Sequence, residues 1–169
     1  MHASGCRESV FGSSQWLFDI NTFMKGFCNM SKIAVVYWSG TGNTEMMAMK
    51  VMEGAKAAGA DARLFTAGQF DARQMDQYDA IAFGCPSMGA EQLEEDEFEP
   101  MFTACFPKLE GKKIALFGSY GWGDGEWMRS WEESCLGDGA VLACDSVICN
   151  EAPDADADNA CEALGKSLA

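Results

Sequence analysis

Short uninterrupted apolar runs alternate along this chain with longer stretches in which apolar residues recur every three or four positions. Ile33-Ala34-Val35-Val36-Tyr37-Trp38 contains no charged residue, the pattern of a central parallel strand covered on both faces. Ala48, Val51, Met52 and Ala55 then fall at offsets 0, 3, 4 and 7, one face of a helix, with Gly59 as its stop. Ala62 to Thr66 is shorter and more polar and reads as an edge strand. Asp71 to Met75 predicts a short helix, and Ala80 to Cys85 a second central strand. Phe98, Met101, Phe102, Cys105 and Phe106 recur at offsets 0, 3, 4, 7 and 8, which puts Pro100 in the first turn of a helix that Pro107 ends. Ile114 to Gly118 is a strand. Trp127, Met128, Trp131 and Cys135 share the face of a helix with Gly137 as terminator. Val141 to Cys149 is the last strand, and Cys161, Leu164 and Leu168 line the final helix. This alternation predicts an α/β fold: a doubly wound, five-stranded parallel sheet. Such sheets bind ligands beyond the carboxyl ends of their strands, at the switch point.

The most informative loop lies at such an end. Ser39-Gly40-Thr41-Gly42-Asn43-Thr44 sits between the first strand and the first helix. Glycines let backbone N–H groups turn inward, the hydroxyls of Ser39, Thr41 and Thr44 and the amide of Asn43 add donors, and the helix dipole favours an anion. The loop has no Lys or Arg, and Glu45 stands where a triphosphate site needs a cation. Neutral donors suit a single terminal phosphate, such as that of a flavin mononucleotide.

Tyr37-Trp38-Ser39-Gly40-Thr41-Gly42-Asn43-Thr44-Glu45 resembles the phosphate loop of flavodoxins. Two later segments agree, in the right order and each after a predicted strand: Gly84-Cys85-Pro86-Ser87-Met88-Gly89-Ala90-Glu91 and Gly118-Ser119-Tyr120-Gly121-Trp122-Gly123-Asp124-Gly125. The resemblance runs from about Lys32 to the C-terminus and implies the strand order 2-1-3-4-5 for the doubly wound sheet. The last strand runs almost directly into Pro153 and the final helix, which resembles the short-chain kind. The resemblance implies a non-covalently bound FMN and a low-potential carrier of single electrons, cycling mainly between semiquinone and hydroquinone, with no substrate of its own and hence no enzymatic role.

By the same resemblance, Ser39 to Thr44 hold the phosphate, while Ser87, Met88, Gly89, Ala90 and Glu91 and then Ser119, Tyr120, Gly121, Trp122, Gly123 and Asp124 surround the flavin ring. Trp122 matches the ring that stacks on one flavin face, and Met88 the apolar residue on the other. The peptide after Gly89 matches the one that reorients when the flavin gains an electron; Gly89 suits this because it adopts either sign of φ cheaply. The next position, often Asp or Ser in related proteins, is Ala90. Glu91 matches the carboxylate that bonds the flavin N3–H. Two other readings stay open: an FMN-dependent NAD(P)H:quinone-type reductase on the same fold, and an interaction module that has lost its flavin. Short loops speak against the first, and the intact loops against the second.

Charge adds a partner class. Of 169 residues, 12 are Lys or Arg and 26 Asp or Glu, a net charge of −14. Residues 1–30 balance Arg7 and Lys25 against Glu8 and Asp19, so the excess lies entirely beyond them. Such a surface disfavours nucleic acid and anionic membrane and suits basic-faced redox proteins, reductases and electron acceptors alike. Glu91, Glu94, Glu95, Asp96, Glu97 and Glu99 cluster in one segment, with Asp124 and Glu126 expected nearby. Acids around a flavin penalise its anionic reduced form and lower the second potential. Eight cysteines, none in a C-x-x-C pair, and His2 as the sole histidine argue against a zinc or iron–sulfur site; they predict buried thiols in a reducing cytoplasm and no metal. A monomer is expected. Residues 1–30 do not match the family; their longest apolar run, Trp16-Leu17-Phe18, is too short to span a membrane. They are expected to be a leader outside the fold, with the domain at 31–169.

Overall fold

The computed structural model describes residues 30–169. The expected leader, Met30 apart, lies outside the described residues. Strands β1 (Lys32–Tyr37), β2 (Asp61–Thr66), β3 (Ala80–Gly84), β4 (Lys113–Tyr120), β5 (Val141–Leu142) and β6 (Val147–Asn150) form one parallel sheet. Its order is β2-β1-β3-β4-β5, with β6 also pairing β4. Helices α1 (Asn43–Ala57), α2 (Phe98–Cys105), α3 (Glu126–Gly137) and α4 (Ala155–Leu168) cover its two faces.

The unbroken apolar runs are explained by two-sided burial. Along β1, Ala34 and Val36 enter one core with Ile81, Phe83, Ile114 and Leu116, beneath Phe98, Met101 and Phe102 of α2 and Trp127 and Trp131 of α3. Ile33 and Val35 enter the other with Ala82 and Phe117, beneath Met47 and Val51 of α1 and Cys161 and Leu164 of α4. Alternate residues therefore serve opposite faces, and no position is left for a polar side chain. In the first core Trp131 meets Phe98 and Phe102 edge-to-face, each at a centroid distance of 5.4 Å.

The fold agrees with the expected architecture, and four local expectations need correction. The last strand is not continuous. Val141 and Leu142 pair with Lys113 and Ile114, whereas Val147 to Asn150 pair with Phe117 to Tyr120, so residues 143–146 bulge out opposite 115–116. Asp145 and Ser146 are poor strand formers at a sheet edge, and the Ser146 hydroxyl instead donates to Glu132 of α3. No α-helix spans Asp71 to Met75. Asp71 Oδ1 accepts the Arg73 N–H at 2.8 Å, a turn that competes with helix, and a single 3-10 turn follows at Met75–Gln77. Pro107 does not stop the chain's winding at once but sits in a 3-10 turn, Phe106–Lys108, that extends α2. Gly137 is the last residue of α3 rather than its stop; the left-handed residue is Gly139, two positions on.

Candidate functional site

Loops from the carboxyl ends of β1, β3, β4 and β6 enclose a cleft of about 520 Å³, lined by Trp38, Gly40, Thr41, Asn43, Pro86, Ser87, Met88, Ser119, Tyr120, Gly121, Glu151 and Ala152. Eight of the residues expected to hold a cofactor, drawn from all three predicted loops, therefore share one wall-lined space.

The β1–α1 loop is built as an anion cradle. Gly42 takes the left-handed conformation at the helix N-cap (φ 93°), which bulkier residues resist. Its N–H donates to Ser39 Oγ at 3.0 Å, so Ser39 braces the loop from within. No side chain caps α1. The first-turn N–H groups of a helix have no intrahelical partner, so here they present donors and the positive end of the dipole to whatever occupies the cleft. Thr44 is buried and exchanges a 3.1 Å hydroxyl contact with Ser119, 75 residues away. Two hydroxyl protons serve this one contact, so one remains for a ligand. The contact also ties the first loop to the third.

The other loops are tied together as firmly. Met88 and Gln92 exchange backbone hydrogen bonds of 2.8 and 2.9 Å, making residues 88–92 a tight hairpin with Gly89, Ala90 and Glu91 at its tip. Gly89 has φ 48°, and Glu91, at φ 55°, is one of two non-glycine residues with positive φ among the described residues. The other is Glu151, which lines the cleft. Strained backbone of this kind persists where surroundings over-determine it and gathers at binding sites. Glu91 Oε1 accepts the N–H groups of Asp124, Gly125 and Glu126 at 3.3, 3.1 and 3.1 Å. Gly123 packs so closely on this carboxylate that a Cβ there would lie 2.4 Å from it. Glu91 thus joins the second loop to the start of α3, a task the sequence did not disclose.

Two large apolar side chains stand beside the cleft: Trp122, 62% exposed, and Met88, 37% exposed. An indole this exposed on a short glycine-rich loop stands outside both cores, and an apolar surface at a cleft mouth is what a flat aromatic ligand covers. Trp122, Gly123, Asp124, Gly89, Ala90 and Glu91 do not line the cleft; they continue the loops whose Met88 and Gly121 do. Trp38, Pro86, Glu151 and Ala152 line it and were not anticipated. Glu151 and Ala152 follow the last strand directly, and the rule that ligands sit at strand carboxyl ends could have flagged them.

The acidic segment also divides. Glu94 is only 5% exposed and turned inward, its carboxylate taken up by backbone N–H groups rather than presented to solvent. Asp124 and Glu126 both contact Arg129 at 2.7 Å.

Residues 35–165 match the flavodoxin family. The chain is 45% identical over 139 residues to the flavodoxin of Megasphaera elsdenii, covering 81% of this chain and 98% of that one. The chain belongs to the flavodoxin family. It is also 44% identical over 135 residues to the flavodoxin of Clostridium beijerinckii, covering 80% of this chain and 97% of the relative. The solution structure of two-electron reduced Megasphaera elsdenii flavodoxin superposes with a TM-score of 0.74 at 45% identity, over 80% of this chain and 97% of that one. A flavodoxin from the domain Archaea, 24% identical, shares the fold with a TM-score of 0.72. Flavodoxins are electron carriers that work through bound FMN, and this chain is such a carrier rather than an enzyme. The reductase reading is not favoured. The donor set fits the cofactor: uncapped helix N–H groups and neutral hydroxyls for a terminal phosphate, and exposed apolar side chains for a ring.

Proposed function

We propose that this flavodoxin holds FMN in the 520 Å³ cleft and passes single electrons at low potential to and from basic-faced partners. The observation that carries the assignment is the convergence of three expected loops on one cleft that Asn43, the first residue of the uncapped α1, helps to line. Ser39 and Gly42 shape the phosphate cradle. Gly40, Thr41, Asn43 and Thr44 supply its donors, with the Ser119 hydroxyl alongside. Ser87, Tyr120 and Gly121 flank the cofactor's middle. Trp122 and Met88 cover the two faces of the ring. Gly89 and Ala90 form the hairpin tip whose peptide meets the ring edge, and Glu91, with Gly123 and Asp124 packed at its carboxylate, faces the ring N3–H. FMN supplies the one-electron chemistry; the chain orients it, shields it from water and sets its potential.

Glu151 at the cleft wall and the exposed acids Glu95, Asp96, Glu97 and Glu99 oppose negative charge on the reduced ring and attract cationic surfaces. The protein acts as a monomer with no affinity for nucleic acid. Among the described residues no helix is long and apolar enough to cross a membrane. The six described cysteines are free thiols, four of them buried, which fits a reducing cytoplasm. The independent domain is residues 31–169.

Stepwise anaerobic reduction of the FMN-loaded protein, followed by absorption, tests the reading. The expected result is two separate one-electron steps with the intermediate level accumulating. Bleaching in one two-electron step, or failure to bind FMN, would overturn it.

A further inference from the structure

Glu94 is a buried carboxylate that the proposed cofactor contacts do not use. It lies just beyond the flavin hairpin, and both of its carboxylate oxygens accept backbone N–H groups. Its Oε1 accepts the Asp96 N–H at 2.9 Å; its Oε2 accepts those of Glu97 and Phe98 at 2.9 and 2.8 Å. Its own N–H donates to Cys85 Sγ at 3.4 Å. Cys85 is fully buried and directly follows β3. The Cys85 carbonyl accepts the Trp127 indole N–H at 3.2 Å, its N–H donates to the Phe117 carbonyl at 3.1 Å, and a Cβ on Gly118 would lie 2.1 Å from its oxygen. Residues 86–93 are therefore a strap with both ends fastened, Cys85 to the sheet and Glu94 to the start of α2. The Met88–Gln92 pairing narrows its neck; the backbone of the tip 89–91 makes no such bond, and the tip is tied only through the Glu91 carboxylate to residues 124–126.

A neutral cap would satisfy a helix start at less cost than a buried carboxylate. Charge-assisted hydrogen bonds are roughly twice as strong as neutral ones, so the carboxylate makes the anchorage stiffer. We propose that Glu94 is a positioning residue for the flavin: by fastening the far end of the strap against Cys85, it confines backbone rearrangement to residues 89–91 and so sets cofactor affinity and the spacing of the two one-electron potentials, without touching the cofactor. The inference rests on the assignment of the strap to the flavin ring.

The test uses the FMN-loaded full chain with Glu94→Asp, which keeps the charge but is one methylene too short to reach all three N–H groups. The readouts are the FMN Kd and both one-electron midpoint potentials, with Trp122→Ala measured in parallel. The expected result is a Kd weakened about tenfold, the scale of one lost charge-assisted hydrogen bond, and a changed separation of the two potentials at unchanged net charge. If Glu94→Asp lowers the melting temperature but leaves Kd and both potentials at wild-type values, Glu94 is only the cap of α2 and the inference falls. If Trp122→Ala weakens FMN in that same experiment, the site assignment survives; if it does not, the assignment itself fails. Should Glu94→Asp not fold, Cys85→Ala loosens the other contact of the clasp with the carboxylate in place. It is expected to shift the potentials too, and unchanged potentials there would overturn the inference.

Discussion

Replacing Gly165 with alanine tests how α4 is seated on α1. A Cβ at Gly165 would lie 2.0 Å from the Val51 carbonyl oxygen and 2.8 Å from the Ala55 nitrogen. The relation is reciprocal: a Cβ at Gly54 of α1 would lie 2.0 Å from the Glu162 carbonyl oxygen of α4. Both obstacles are backbone, so no side chain can swing aside. Real Cβ atoms essentially never approach closer than 3.0 Å, and the helices would have to part by at least 1.0 Å locally. That parting loosens the buried contacts of Val51, Ala55, Cys161 and Leu164. Overpacking of this kind costs about 1–3 kcal/mol or more, and the better helix propensity of alanine returns only about 1 kcal/mol. A net loss of about 2 kcal/mol is expected. With a urea m-value of about 2 kcal/mol/M, the midpoint falls by about 1 M. Gly137, at the end of α3 with nothing within 4 Å of its would-be Cβ, is the matched comparison. Gly137→Ala should be neutral or stabilising by up to about 1 kcal/mol. Because Gly54→Ala and Gly165→Ala demand the same displacement, the double variant should cost less than the sum. Urea unfolding followed by circular dichroism reads all of these. Equal midpoints for Gly165→Ala and Gly137→Ala would refute the close crossing, because helix propensity alone would then account for both.

Trp122→Ala should weaken FMN binding by about 2 kcal/mol, roughly thirtyfold in Kd, with little effect on the melting temperature because the side chain is 62% exposed; fluorescence titration with FMN measures it. Gly89→Pro forces φ from 48° to about −65° and should shift the first one-electron potential more than any other single change in the hairpin, read by spectroelectrochemistry. Burial works against the charge on Glu94, but the three N–H donors outweigh it and hold its carboxyl below the usual glutamate range. A lowered folded value means that its stabilising contribution is present above the unfolded pKa of about 4.3 and is lost as pH falls through the folded value. Glu94→Gln should therefore flatten the fall in stability below about pH 4.3, seen in urea midpoints measured as a function of pH. Thr44→Val leaves the Ser119 hydroxyl without its 3.1 Å partner and should cost about 1–3 kcal/mol of stability while weakening FMN, measured by unfolding and FMN titration on the same samples.

Much of the scaffold was legible because it rests on local patterning. A strand buried on both faces must be apolar at every position, and Ile33 to Tyr37 could be little else. A helix against a sheet must repeat its apolar residues every three to four positions, as Phe98, Met101, Phe102 and Cys105 do. Ser39 to Thr44 announced an anion cradle because a strand, a small-residue loop and a helix start suffice to aim N–H groups at one point. What stayed hidden depends on residues distant in sequence. Nothing near Glu91 signals that its carboxylate braces residues 124–126, and nothing near Glu94 signals that it turns inward while Glu95, Asp96 and Glu97 face water. Thr44 and Ser119 look like two independent donors until the sheet sets them 3.1 Å apart. The break after Leu142 is decided by what β4 and α3 offer Asp145 and Ser146, not by their own preference alone. Burial periodicity and loop chemistry are properties of neighbours along the chain, so the sequence by itself determined the layers and the kind of ligand, and its likeness to a family implied the strand order. Which carboxylates face the cleft, which face solvent and which hold the loops in place are properties of neighbours in space, and only the tertiary structure decided them.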